Sequence, residues 1–127
     1  MNIKTPINYP VGLIHLEMGN NKHYELPNNI GQLIRLELLN ASNNEIEVLH
    51  TDIPDFESDE LMIQRTGIQY LASLVDLNLS SNKIKFLPLE MVNLTNLRKL
   101  NVRKNPGIVI PEEIKQMPNL AIEYDSD

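Results

Sequence analysis

Residues 74–84 read Leu74-Val75-Asp76-Leu77-Asn78-Leu79-Ser80-Ser81-Asn82-Lys83-Ile84, and the spacing of their apolar side chains decides the fold. Leu77 and Leu79 stand two residues apart, so on a β-strand both point to one side and Asp76 and Asn78 to the other. Leu87-Pro88, Met91 and Leu94 follow and bring the chain back around the same interior. A single unit of this kind cannot hide its apolar side, so the motif predicts a stack of similar units.

The other copies are present. Leu13, Leu16, Met18 and Asn21 form one; Leu36, Leu39, Ala41 and Asn44, with Ile46 beyond, form the next; Leu97, Leu100, Val102 and Asn105 follow residues 74–84. The second half of the unit recurs as Leu26-Pro27 with Ile30 and Leu33, as Leu49-His50 with Ile53 and Phe56, and as Ile110-Pro111 with Ile114 and Met117. Ile3, Ile7 and Pro10 lie 23 residues before Leu26, Ile30 and Leu33, so the chain is read as starting partway through a unit. Strand starts fall at Leu13, Leu36, Leu74, Leu97 and Leu120, at intervals of 23, 38, 23 and 23 residues. After Leu120 the expected apolar slots hold Glu123 and Asp125, which reads as a polar end to the stack. An asparagine after each strand is placed to bond backbone groups at the turn, and stacking would align these side chains in a ladder.

This frame resembles the leucine-rich-repeat family. Its 23-residue form with Leu-Pro-x-x-Ile-x-x-Leu is most similar to the intracellular Ras-group-related repeats, over about Ile3 to Leu120. The resemblance implies an α/β solenoid in one domain over residues 1–127. About five short parallel strands would line the concave face, and helical or irregular turns the convex face. It also implies a module that binds another protein and is not an enzyme.

Composition agrees. At 127 residues with 42% hydrophobic and 22% charged side chains, the chain can form a core and is not of the disordered class. With two Phe, four Tyr and no Trp, Leu and Ile must fill the interior. No cysteine is present, which removes disulfides, thiolate zinc sites and thiol nucleophiles and favours a reducing, cytoplasmic setting. The N-terminal residues lack the apolar core of a cleavable signal, and no stretch approaches the roughly 18 apolar residues of a membrane span. A net charge of −6 and the lack of stacking aromatics make nucleic acid a poor partner.

The 38-residue interval carries 15 extra residues between about Asp52 and Gly67. They are acidic: Asp52, Asp55, Glu57, Asp59 and Glu60. A short helix is expected there, capped by Ser58, with Leu61 and Met62 facing inward and Gly67 ending it. Insertions in repeats often mark a binding face, and a solvated loop is the plain alternative.

The residues between the buried leucines define the expected partner-binding face. They are His15, Glu17, Leu38, Asn40, Asp76, Asn78, Lys99, Asn101 and Arg103, with Tyr124 as an outward aromatic on the last strand. Gly19, Ser42 and Ser80 share the outward position of Arg103. Arg98, Lys99, Arg103 and Lys104 concentrate cations in the fourth unit, as a docking patch for an acidic surface or as a merely solvated face. Leu38 reads as an interface anchor or as one of the single exposed leucines that soluble proteins commonly carry.

Motifs of chemistry are missing. His15, His23 and His50 fall at different places in the repeat without metal-pair spacing, and no phosphate-binding glycine loop, nucleophile elbow or calcium loop occurs, so no cofactor or metal is expected. The expectation is therefore a monomer that forms a heterodimer with a protein partner. In a sharper form the partner is an enzyme whose active site the chain covers, as the family's ribonuclease inhibitors do. Asn-rich, Cys-free repeats also suit a bacterial effector delivered into a host cell. The alternatives are a structural piece of a longer solenoid and nucleic-acid binding through the basic fourth unit.

Overall fold

A computed structural model describes residues 12–27, 30–49, 53–55, 62–64 and 67–125. Its strands, in chain order, are β1 (His15–Glu17), β2 (Leu38–Asn40), β3 (Ile53–Asp55), β4 (Met62–Gln64), β5 (Asp76–Asn78), β6 (Lys99–Asn101) and β7 (Ala121–Glu123). Five of them form one sheet in the order β1-β2-β5-β6-β7, with every neighbouring pair parallel. On the opposite side run 3-10 turns at Ile30–Gln32, Ile68–Tyr70 and Leu89–Asn93 and one helical turn, α1 (Glu112–Lys115), each packed on the next. Pro88 and Pro111 open the last two, where a missing N–H costs nothing.

The interior is the leucine set read from the sequence. Leu36, Leu39, Leu74, Leu77, Leu79, Ile84, Met91 and Leu94 have no exposed surface, and Leu97 and Leu100 almost none. Between them run the asparagines. Asn82 Nδ2 donates to the carbonyls of Leu79 (3.0 Å) and Ser80 (3.1 Å) in its own unit and of Ala41 (3.0 Å) in the preceding one. Asn82 Oδ1 accepts from the Ile46 N–H at 3.1 Å. Asn44 repeats this with Met18 and His23, and Asn105 with Leu79 and Ile84. Each amide thus ties its turn to the unit before it, which is how a buried polar side chain is kept satisfied. The residue ahead of each ladder asparagine takes a left-handed conformation: Asn20, Asn43, Ser81 and Lys104 have φ of 61°, 55°, 57° and 59°.

Two expectations change. The register across the first four strands keeps the intervals of 23, 38 and 23, but β7 is displaced: Leu100 faces Ile122 and Asn101 faces Glu123, an offset of 22. A one-residue slip exchanges the two faces of a strand. Here it brings the half-buried Ile122 against the core and keeps the Glu123 carboxylate exposed. Asn119, with φ 66°, precedes the shortened stretch. The insertion also departs from a capped helix. β3 and β4 pair antiparallel, with Ile53 opposite Gln64 and Asp55 opposite Met62, so Met62 lies on a strand. Gly67 precedes the Ile68–Tyr70 turn with φ −75° and ends no helix. Asp52, Glu57, Ser58, Asp59, Glu60 and Leu61 of the expected acidic segment fall outside the described residues, as do Ile3, Ile7 and Pro10 of the partial first unit.

Candidate functional site: the concave sheet

Alternation along each strand leaves two rows of side chains pointing out of the sheet. The register aligns His15, Leu38, Asp76, Lys99 and Ala121 in one row, and Glu17, Asn40, Asn78, Asn101 and Glu123 in the other. All nine expected residues of the first four strands and their following turn, Arg103 included, lie on or beside this face. His15, Glu17, Lys99 and Arg103 are exposed; Leu38, Asn40, Asp76, Asn78 and Asn101 are half-buried. Leu38 is thus partly sheltered by its neighbours rather than projecting as a free anchor. Ser42 is buried and does not reach the face.

Tyr124 belongs elsewhere. One residue beyond the Asn101–Glu123 pair it stands opposite Val102, on the side of the sheet that holds the core. It stays 43% exposed at the open end, with the Lys115 ammonium of α1 5.7 Å from its ring centre. The expected outward position therefore fails, and the cause is the 22-residue offset. Next to it, Asp125 Oδ2 accepts the Lys104 N–H at 2.7 Å. In the preceding turns the equivalent N–H groups of Ser81 and Asn43 go to backbone carbonyls of Arg103 and Ser80.

The outward asparagines are not free polar groups. Asn40, Asn78 and Asn101 each accept the backbone N–H two residues on, of Ser42, Ser80 and Arg103, all at 3.0 Å. This is the Asx turn, and Asn-x-Ser or Asn-x-Arg after a strand is the signal that could have revealed it. Because the donor is a backbone N–H, the bonded atom must be the side-chain oxygen, and each Nδ2 is left pointing away from the turn. Asn40 uses its Nδ2 on Glu17 Oε2 at 2.7 Å. Glu17 Oε1 lies 2.8 Å from His15 Nε2. The His15 bond, and after it the Asn40 bond, hold the Glu17 carboxyl below the ordinary carboxylate range.

At the other end of the face, Asp76, Asn78, Lys99, Asn101, Ala121 and Glu123 line a shallow depression. Asp76 and Lys99 are register partners, yet neither makes an ion pair among the described residues. Lys83 reaches Glu45 at 3.9 Å and Lys85 reaches the Pro106 carbonyl at 2.9 Å, so those cations point elsewhere. Among the described residues there is no group of three or more His, Asp or Glu arranged to hold a metal ion, and no helix long and apolar enough to cross a membrane. The sequence reading passed over one feature. Val48, Phe86 and Val109 each precede the Leu-Pro-type pair of their unit and are 53%, 69% and 52% exposed on the flank of the stack.

Comparison with known proteins fits this architecture. The chain superposes on a leucine-rich-repeat protein of Leptospira interrogans with a TM-score of 0.68 and 30% identity, over 91% of this chain and 28% of that one. The fold is a leucine-rich-repeat solenoid. A probable serine/threonine-protein kinase of Dictyostelium discoideum is 34% identical over 116 residues, 91% of this chain. An adenylate cyclase of Podospora anserina is 31% identical over 106 residues, 84% of it. The chain spans only 3% and 4% of the lengths of those two proteins. No family model matches the chain.

Proposed function

We propose that this solenoid is a non-catalytic module of the 23-residue repeat class that binds a protein partner on its concave sheet. The observation that carries the reading is the pair of outward rows on five parallel strands, in which Lys99 and Arg103 are exposed and without ion-pair partners among the described residues. A face held by a stacked core is ordered before it meets a partner, so little ordering cost is added on binding. The two relatives have different activities by name, a kinase and a cyclase, while both match this same repeat stretch. That supports a role in contact rather than catalysis. Its cysteine-free composition suits a reducing, cytoplasmic location. Nucleic acid is disfavoured, since Asp76 and Glu123 lie beside Lys99 in the same depression.

The sharper reading is a stoichiometric inhibitor that covers an enzyme's active site. Both readings are tested by affinity capture from native lysate with wild-type protein and with an Asp76→Lys/Lys99→Glu/Arg103→Glu variant. These side chains are not part of the core, so the variant folds. Its affinity for the captured partner is expected to fall by at least about tenfold. Unchanged binding rejects the concave face, and unchanged partner activity on binding rejects inhibition.

A further inference from the structure

The first two strands contain a recognition event that the next two leave unfilled. Asn40 is held by its Oδ1 on the Ser42 N–H (3.0 Å), and its Nδ2 then donates to the Glu17 carboxylate (2.7 Å). Asn78 and Asn101 are held in the same way, on Ser80 and Arg103, both at 3.0 Å. Their register neighbours on the preceding strands are Asn40 and Asn78, where Asn40 has Glu17. On the following strand Asn101 faces Glu123, yet the two side chains are not bonded, and no carboxylate among the described residues bonds either Nδ2.

We propose that Asn78, Asn101 and Lys99 form a subsite for the carboxylate of a partner's Asp or Glu side chain. The inference rests on the concave-face reading and specifies its chemistry. Asn78 and Asn101 are register partners on adjacent strands, about 4.8 Å apart. Each can donate to one oxygen of a carboxylate lying between them. The Lys99 ammonium adds a charge-assisted bond. Across from Lys99 the next strand presents only the methyl group of Ala121, so the approach is open. Asp76 and Glu123 flank the depression as the other titratable groups facing it; their charges oppose any anion and a dianion such as phosphate most, so a single carboxylate must be held by the two amide donors together with Lys99. The oxygen anchors keep the amides oriented before binding, as Asn40 demonstrates within the same chain.

The test follows the side-chain amide resonances of the full chain by NMR during titration with three short probes. These are acetyl-Gly-Glu-Gly-amide, the same peptide with Gln in place of Glu, and that Gln peptide with a free C-terminal carboxylate. The Glu peptide is expected to shift the Nδ2 protons of Asn78 and Asn101 saturably while those of Asn40, already engaged, stay still. The Gln amide should shift neither. Asn101→Asp keeps the acceptor for the Arg103 N–H but replaces the donor with a carboxylate. It should weaken the Glu peptide by about tenfold or more, the scale of one hydrogen bond to a charged group. Unmoved ladder amides of Asn82 and Asn105 certify that this variant is folded. No response of Asn78 and Asn101, an equal response to the Gln amide, or a response to the free C-terminus alone each overturns the proposal. Loss of the captured partner in the charge-reversed variant with silent amides would leave the concave face standing and remove the subsite; responding amides with intact partner binding would do the reverse.

Discussion

Each of the second, third and fourth strand-bearing units carries two asparagines four residues apart: Asn40 and Asn44, Asn78 and Asn82, Asn101 and Asn105. The second of each pair is buried, and all of its polar capacity is spent on backbone groups of two adjacent units. The first stands at the surface of the sheet and commits its oxygen to the turn two residues on, leaving its Nδ2 to bond Glu17 in Asn40 and unbonded among the described residues in Asn78 and Asn101. The same amide is structural at one depth and available at the other. Burial forces every donor and acceptor to find a protein partner, because an unpaired one costs about 1–3 kcal/mol. At the surface, water satisfies what is left until a ligand replaces it.

The contrast breaks most sharply at the core beneath both rows. Leu77, the central residue of β5 beside Asn78, is fully buried. Leu77→Asp places a carboxylate among leucines, and the stack is expected to unfold altogether, seen as loss of the cooperative transition in circular dichroism. Asn82→Ala comes next. It strips a shared donor from the Ala41, Leu79 and Ser80 carbonyls and an acceptor from the Ile46 N–H. Destabilisation of about 3 kcal/mol or more is expected in urea unfolding. Asn101→Ala, in the outward row, removes one half-exposed turn bond to Arg103 and should cost about 1 kcal/mol or less. Equal losses for the two asparagines would abolish the distinction between the rows.

How much of this could be read from the sequence follows the same line. The interior was legible because Leu36, Leu74 and Leu97, with their partners at fixed spacings, specify the strand faces several times over. The ladder was legible too, since Asn44, Asn82 and Asn105 recur in phase with that core. The period was no guide where it fails. Between Leu120 and Ala121 one position is missing relative to the fourth unit, and a 23-residue count put Glu123 rather than Ile122 against Leu100. That error also sent Tyr124 to the wrong side. The β3–β4 pair lies within the insertion, where no second copy exists to set a phase. The state of the outward asparagines was hidden for another reason. Periodicity says which side a residue faces, and whether its oxygen turns back to the chain is a matter of local hydrogen bonding.

The smallest expected effect sharpens the comparison within the outward row itself. Glu17 is exposed, so its bonds to His15 and Asn40 contribute little to stability, but they leave a titration signature. A carboxyl with a lowered folded pKa contributes stability that is present above the unfolded value and lost as pH falls through the folded one. Side-chain carbon NMR should therefore show Glu17 titrating below the ordinary glutamate range. The Asn40 Nδ2 protons should move with the same midpoint, because they lose their acceptor's charge as it protonates. The Asn78 and Asn101 amides should not follow it, since no carboxylate of the described residues engages them. In Asn40→Ala the Glu17 midpoint should rise while remaining below the ordinary value, because the His15 bond, the larger cause, is still in place. A midpoint unmoved by Asn40→Ala would mean that the amide does not hold the carboxylate in solution, and the pattern from which the open subsite is inferred would lose its internal example.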